Sequence, residues 1–172
     1  MALRTIVLDG DPILKKKCRP VTNFDAKLAQ LLDDMRETLL DANGYGLAGP
    51  QVGMLRRVFI SVDERDLPED GERPEGYETK FLEFVNPEIL SCEGEVTQYE
   101  GCLSFPGRNG AVTRPEKVTV RAFDRTGAPF TLEAEGMLAR CICHESDHLD
   151  GVTIVDRAEY FYEDLDHEDE EE

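Results

Sequence analysis

The 172-residue sequence is poor in basic residues, with 19 Lys and Arg against 37 Asp and Glu. The resulting net charge of −18 disfavours sequence-independent binding to the phosphate backbone of a nucleic acid, so direct binding of nucleic acid is not expected. The sequence contains no run of about 18 apolar residues, and its first residues show no basic segment followed by an apolar stretch. We therefore expect a soluble, cytoplasmic protein that does not cross a membrane.

Cysteine occurs an odd number of times, five, in a chain without a recognisable export signal. Both features argue against a disulfide framework and favour reduced thiols. A cysteine with a special role should therefore be a metal ligand or a nucleophile.

Lys and Arg are absent from the last ten positions, 163–172, where eight residues are Asp or Glu. This segment cannot form a core, and it predicts a solvated acidic tail or at most an extension of a helix that begins near Ala158. Because the tail should repel ribosomal RNA, we do not expect docking on the ribosome through it. The remaining length and the 40% hydrophobic content predict a single domain over residues 1–162.

Hydrophobic spacing predicts an α+β fold, with small antiparallel or mixed sheets packed around a late helix. Apolar residues recur at helical intervals between an N-cap at Asn23 or Asp25 and a stop at residues 43–44. A second helical pattern runs from Gly136 to a stop at residues 150–151. Strands are predicted over residues 57–62, 81–85, 89–98, 117–123 and 130–134, the last two as a hairpin.

The late helix carries the sequence His144-Glu145-Ser146-Asp147-His148. Because four residues make about one helical turn, both imidazoles project from the same face and can bind one metal ion. Glu145 lies beside His144 and can reach a water molecule on that ion. The alternative is a pair of surface histidines on a charged helix, but the flanking turns are too apolar for a solvated helix.

A hydrolytic metal centre uses three protein ligands and one open position, so a third ligand should exist. His167 lies in the acidic tail, beyond the spacing of the extended zinc-protease motifs. Cys102 is the better candidate, because Gly101 lets the chain turn sharply and point a thiolate inward. On its own, Cys102 would more often be a buried packing residue.

Three motifs in this order resemble those of the peptide deformylase family: G-x-G-x-A-A-x-Q, E-G-C-x-S and Q-H-E-x-D-H. Here they read GYGLAGPQ over residues 44–51, EGCLS over 100–104 and CHESDH over 143–148. The resemblance to the bacterial enzymes covers nearly the whole chain except the acidic tail. Gly49 replaces the second Ala and Cys143 replaces the Gln, and neither change removes a candidate ligand, although Cys143 adds a thiol beside the site.

The resemblance implies a metal-dependent hydrolase that removes the formyl group from the N-terminal formyl-methionine of newly made polypeptides. Its partners would be N-formylmethionyl nascent peptides. The metal ligands of the family correspond to Cys102, His144 and His148, with one ion per chain. The resemblance implies iron(II), while the donor set also suits zinc or another divalent ion.

Catalytic roles for three further residues follow from the same resemblance. Glu145 would be the general base that takes a proton from the metal-bound water and later passes it to the leaving amine. The side-chain amide of Gln51 and the backbone N–H of Leu103 would stabilise the oxyanion together with the metal. Without the resemblance, Gln51 would be taken for an ordinary loop residue.

The resemblance also implies that the glycine-rich segment is an edge strand on which the substrate lies. Tyr45 and Gly46 would offer backbone partners, and Gly101 would leave room opposite. Tyr45, Met137 and Cys141 are the candidates for an apolar pocket that receives the first side chain. A Met at helical spacing, however, is more often part of a core.

Three charged residues near these motifs have open interpretations. Arg140 can cover the rim of the pocket with its stem and present its charge to solvent or substrate. Glu100 and Asp147 can orient the imidazoles or pair with Arg114.

Two other classes of protein remain open from the residues alone. A zinc endopeptidase would share Glu145 and two of the ligands, but it needs a further ligand downstream and leaves the Glu-Gly-Cys segment unexplained. A structural metal module would have a closed site in which Cys141 or Cys143 supplies the fourth ligand.

Overall fold

The computed structural model describes residues 2–65, 67–68, 70 and 72–162. In this part of the chain the helices are α1 (Ala26–Ala42), α2 (Gly136–Leu149) and α3 (Ile154–Arg157). The strands are β1 (Gly46–Ala48), β2 (Val58–Val62), β3 (Phe81–Glu93), β4 (Val96–Cys102), β5 (Phe105–Arg114), β6 (Lys117–Phe123) and β7 (Pro129–Glu135). The antiparallel strands and the separate late helix confirm the predicted α+β class.

Helix α1 begins and ends at residues that suit helix termini. The Asp25 side chain accepts a hydrogen bond from the Leu28 N–H at 3.0 Å, so Asp25 rather than Asn23 is the N-cap. At the other end Asn43 adopts a left-handed φ of 55°. The apolar face of the helix is fully buried at Leu28 and Leu32, where it packs with residues of β2.

The larger sheet separates the two long helices. Its strands are antiparallel in the order β1-β2-β3-β6-β7. Phe59 and Ile60 are consecutive in β2 and therefore point to opposite faces. Phe59 packs in a core cluster with Ile142 of α2, while Ile60 belongs to the cluster that contains the apolar face of α1. Helix α2 therefore lies on one face of the sheet, beside β1.

Strand β3 continues across the break predicted between residues 85 and 89. The register shifts between Val85 and Glu88, and Asn86 has a left-handed φ of 48°, so the strand contains a bulge here. The Asn86 side chain stabilises the bulge by hydrogen bonds of 2.8 and 2.9 Å to the backbone of Val21. Pro87 is accommodated in the bulge and does not end the strand.

Strands β4 and β5 form a separate antiparallel pair. The predicted strand over residues 89–98 is wrong in its bounds, because β3 ends at Glu93 and the chain turns at Gly94 before β4 begins. Strand β5 was not predicted at all, since Pro106 and the two glycines near it are typical of a loop. The pair carries Cys102 at its turn and thereby positions the candidate sulfur ligand.

The chain after α3 runs extended along β5. Glu159 donates its N–H to the Ala111 carbonyl at 2.9 Å, and the Ala111 N–H donates to the Tyr160 carbonyl at 2.8 Å. Residues 158–161 are thus not helical, and the predicted acidic tail, residues 163–172, lies outside the described residues. Among the helices that the structure describes, none is long and apolar enough to cross a membrane.

Candidate active site

Three candidate ligands from distant parts of the sequence meet in the folded chain. Cys102 ends β4, while His144 and His148 lie one turn apart on α2. The ligand atoms of these residues all lie within 4.8 Å of one another, and Cys102 Sγ is 3.4 Å from His148 Nε2. Both rings are buried, and His148 is fully enclosed. The structure therefore brings the whole predicted ligand set together.

The geometry and chemistry of this group fit a metal ion. A thiolate and two imidazoles are donors that both zinc and iron(II) accept. Glu100 Oε2 lies 2.8 Å from His144 Nδ1, which fixes the ring and leaves Nε2 available to bind a metal ion. His148 Nδ1 is buried without a hydrogen-bond partner among the described residues. Cys102, His144 and His148 can therefore hold one metal ion.

Glu145 follows the first histidine on α2 and is buried at the same centre. Its Oε1 atom is 3.8 Å from His144 Nε2, and its Oε2 atom has no hydrogen-bond partner in the described part of the chain. Burial raises the pKa of Glu145 to about 7, while the neighbouring His144 ring opposes this shift. A carboxyl group with a pKa near neutrality can both accept and return a proton.

Gln51 is held on a 3-10 turn (Gly49–Val52) directly after β1. Its Oε1 atom accepts the Ala48 N–H at 3.0 Å, and its Nε2 atom donates to Ser104 Oγ at 3.1 Å. The same nitrogen lies 3.5 Å from Cys102 Sγ. The amide therefore has a fixed orientation beside the ligands. Leu103 follows Cys102 in the turn between β4 and β5 and borders the same space.

A cavity of about 450 Å³ opens beside these residues, within the usual size range of ligand sites. Each residue predicted to contact substrate lines it, namely Tyr45, Gly46, Gly101, Met137 and Cys141. The cavity lining also includes Gln51, Cys102, Leu103, His144 and Glu145. His148 is the one predicted site residue outside the lining, because it is enclosed by the core.

Tyr45 and Met137 differ from Cys141 in exposure. The first two are 55% and 57% exposed, whereas Cys141 is buried with its Sγ atom 3.3 Å from Ser61 Oγ. Burial raises the pKa of the Cys141 thiol far above its ordinary value, so the thiol is neutral. Met137 is thus not part of the core, and all three residues line the same cavity.

Strand β1 presents an open edge to this cavity. It pairs with β2 through Gly46 and Ser61, and it is the first strand in the sheet order, so no described strand pairs with its other edge. A Cβ atom on Gly46 would lie 2.7 Å from Cys141 Sγ and 2.9 Å from Glu145 Oε1. Only glycine lets the strand approach α2 this closely.

The prediction that Arg140 covers the rim of the pocket is wrong. Its guanidinium is buried and donates hydrogen bonds to Glu100 Oε1 at 2.9 Å and to the carbonyls of Val112 and Val96 at 3.0 and 2.6 Å. A buried charge requires partners of this kind. Arg140 therefore ties α2 to the β4–β5 pair and does not face solvent.

Glu100 is the centre of a buried ion network behind the ligands. Besides Arg140 and His144 it binds Arg114, whose Nε and Nη2 atoms donate to it at 3.0 and 2.9 Å. Arg114 also donates to Asp147 at 2.5 Å. Burial raises the pKa of Glu100, but the hydrogen bonds from His144 and Arg114 outweigh it and hold the pKa well below its usual range. Glu100 is therefore ionised and orients the His144 ring.

Arg114→Met should destabilise the fold by about 3 kcal/mol, because it leaves Asp147 and Glu100 short of a buried countercharge. Arg157→Met is the matched control, since Arg157 also pairs with Asp147 at 3.1 Å but has a side chain that is 51% exposed. Arg157→Met should lower the free energy of unfolding by about 1 kcal/mol or less. Urea unfolding at a fixed metal load measures both free energies, and equal losses in the two variants would contradict the structural role of the network.

Cys143, the thiol beside the first histidine in sequence, belongs to the hydrophobic core. Burial raises its pKa to about 11. Neither Cys141 nor Cys143 is part of the group of converging ligand atoms found among the described residues. A closed structural site with either thiol as fourth ligand therefore has no support in the geometry.

Part of the cavity lining is made by residues that were not predicted from the sequence. They lie on β4 and β5 and include Tyr99, Arg108 and Asn109. Their closeness in sequence to Cys102 was the available signal. It was not sufficient, because no strand was predicted over β5.

Comparisons with known proteins agree with this geometry. The family model for polypeptide deformylase matches residues 3–163. A peptide deformylase from Agathobacter rectalis is 46% identical over 172 residues, which is 100% of each chain. A peptide deformylase from Caldicellulosiruptor bescii is 51% identical over 158 residues, or 91% of this chain and 86% of the relative. The crystal structure of peptide deformylase from Thermotoga maritima has a TM-score of 0.82 at 35% identity and covers 93% of this chain and 100% of that chain.

Proposed function

The chain belongs to the polypeptide deformylase family of hydrolases, and we propose that it removes the formyl group from the N-terminal formyl-methionine of newly made polypeptides. The observation that carries this proposal is the convergence of Cys102, His144 and His148 beside the buried Glu145 at an open cavity. We propose these three residues as the ligands of one metal ion per chain.

The proposed metal ion is iron(II), and the donor set accepts zinc or another divalent ion as well. When bound, such a cation lowers the pKa of water and polarises a carbonyl oxygen. Glu100 supports the ligand set because it fixes the His144 ring through Nδ1.

Glu145 moves the proton in the proposed reaction. Its Oε2 atom, which no described residue engages, accepts a proton from the attacking water. The carboxyl group then delivers this proton to the nitrogen of the leaving amine, the C–N bond of the formamide breaks, and formate and a free α-amine are the products. The pKa of about 7 that burial gives Glu145 suits both transfers.

Gln51 and Leu103 are the proposed hydrogen-bond donors to the oxyanion that develops on the formyl group. The Gln51 amide is held by Ala48 and Ser104, so its Nε2 atom needs no reorientation during the reaction. The backbone N–H of Leu103 comes from the turn that follows Cys102. Donors that are oriented in advance favour the transition state over the bound substrate.

The open edge of β1 is proposed to pair with the backbone of the substrate. Gly46 is proposed to offer main-chain groups, and Gly101 is proposed to leave space on the other side. Tyr45 stays a proposed partner through its N–H alone, because its carbonyl already accepts the Val62 N–H at 2.8 Å. Main-chain pairing tolerates many sequences, as an enzyme for many nascent chains requires. The methionine side chain would contact Tyr45, Met137 and Cys141, whose neutral thiol acts as an apolar surface. The cytoplasmic location and the lack of affinity for nucleic acid stay predictions.

Anaerobically purified protein should release formate from formyl-Met-Ala-Ser and contain one iron per chain by elemental analysis of the same sample. A chelator should abolish turnover, and added iron(II) or zinc should restore it. Cleavage inside the peptide would instead indicate an endopeptidase. Metal bound tightly without any turnover would indicate a structural site, and either result would contradict the proposal.

A further inference from the structure

Arg108 is a charged residue of the cavity that the proposed chemistry does not use. It follows the left-handed turn at Gly107, whose φ is 75°, and lines the same cavity as the ligands. The other arginine and the carboxylates of the lining have partners or roles, because Arg140 pairs with Glu100 and Glu145 is the proposed base. Within the described residues no carboxylate forms an ion pair with Arg108. Arg108 is therefore a half-buried cation with no countercharge among the described residues.

An aromatic ring holds the Arg108 guanidinium in place. Its Cζ atom lies 4.1 Å from the centroid of the Phe161 ring, as in a cation–π contact. Phe161 is anchored to β5 by an antiparallel β-bridge to Gly110. A Cβ atom on Gly110 would lie 2.7 Å from Ala158 Cβ, so glycine is needed for the chain to approach β5 this closely. The planar guanidinium offers several N–H donors in one plane, and these match a planar acceptor such as a carboxylate.

We propose that Arg108 binds a carboxylate of the substrate peptide downstream of its first residue and gives the enzyme a preference for acidic peptides. This inference rests on the proposed function, since it concerns which formylated peptides bind in the same cavity. The carboxylate can belong to an Asp or Glu side chain or to the free C-terminus of a short peptide. Both sources offer Arg108 one negative charge and two acceptor oxygens in one plane.

The charge of the whole protein predicts what happens without Arg108. A chain with a net charge of −18 repels an anionic peptide unless a nearby cation offsets the field. Glu100 and Glu145 add carboxyl groups to the cavity lining itself. Removal of Arg108 should therefore reverse the preference for an acidic peptide.

Two peptide pairs measure this preference as a ratio of kcat/KM values. Formyl-Met-Ala-Asp amide and formyl-Met-Ala-Asn amide differ in a side-chain carboxylate, and formyl-Met-Ala-Ser and its amide differ in the terminal carboxylate. In the unmodified enzyme, kcat/KM for the peptide with the carboxylate should exceed that for its neutral partner by about three- to fivefold in at least one pair, mainly through a lower KM. In Arg108→Gln the same ratio should fall below one. Whichever pair responds identifies the source of the carboxylate.

Arg121→Gln is the matched control, because it removes the same charge from an exposed position on β6 that pairs with Glu88. It should leave both ratios unchanged. Phe161→Leu keeps Arg108 but removes the ring beneath it, and the responding ratio should move towards one. Arg108→Lys keeps the charge without the fork and should retain part of the preference.

Ratios near one in the unmodified enzyme, or equal changes in Arg108→Gln and Arg121→Gln, would overturn the inference. The neutral peptide tests the proposed function separately. An enzyme that fails to deformylate formyl-Met-Ala-Asn amide contradicts the activity itself. An enzyme that hydrolyses both members of each pair equally well contradicts the role of Arg108 alone.

Discussion

Glu145→Gln is expected to lower kcat for formate release by about a hundredfold to ten-thousandfold while one metal ion per chain stays bound. Glutamine has nearly the same size as glutamate, but its amide cannot accept a proton from water or return it to the leaving amine. Because the Glu145 side chain is buried and its Oε2 atom has no described partner, the change removes proton transfer and leaves the ligand atoms in place.

The measurement is kcat per bound metal ion, with metal content determined on the same sample. Glu135→Gln provides a matched control, since the same chemical change occurs at the residue before α2, where the side chain is 75% exposed. This control should keep both metal and turnover. If Glu145→Gln loses its metal but retains full activity per remaining ion, Glu145 is a ligand or a structural residue and not the base.

The helical part of the candidate site follows from local sequence. His144 and His148 are separated by about one helical turn, so any helix over this segment places both rings on one face, whatever the helix packs against. The signals at both ends also predicted the extent of the helix, because α2 begins at Gly136 and the Asp-Gly pair at residues 150–151 follows its last residue. Periodicity and end signals were sufficient here, since both are short-range properties.

The position of Cys102 could not follow from spacing along the chain. Its approach to α2 depends on the pairing of β4 with β5 and on the register shift between Gly101 and Cys102. Strand pairing is a long-range property, and the sequence of β5 contains Pro106 and Gly107, which are typical of loops. The pattern of residues therefore offered Cys102 only as a candidate that would more often be a packing residue, and the family resemblance favoured it as the third ligand.

Buried charge was the least predictable feature of the site. Arg140 lies among apolar residues on α2, and from sequence an arginine there is expected to extend to solvent. Its burial is stabilised by Glu100 and by the Val96 and Val112 carbonyls, all of which come from β4 and β5. An arginine can be assigned to the interior only when its partners are known to meet it. Pairing of Glu100 and Asp147 with Arg114 was one of the open interpretations, but the burial of Arg140 could not be predicted without β5.

Cys102→Ser is expected to lower metal affinity, and with it activity at limiting metal, by at least about a hundredfold. Loss of a group that merely orients a ligand costs about tenfold to a hundredfold, so loss of a ligand itself should cost no less. Thiolate sulfur is a soft donor that binds zinc and iron strongly, whereas a serine hydroxyl is a weak ligand for these ions. The exchange also removes the sulfur that lies 3.5 Å from Gln51 Nε2.

Metal titration followed by a deformylation assay measures this effect, and Cys92→Ser is the control for thiol chemistry in general, because Cys92 is exposed on β3. The control should bind metal and turn over normally, and unfolding curves should show that both variants fold. A folded Cys102→Ser protein that binds its ion and releases formate at the normal rate would remove the sulfur from the ligand set. His144, His148 and Glu145 would then remain as the shared core of any H-E-x-x-H hydrolase, and the ligand geometry would no longer favour a deformylase over an endopeptidase.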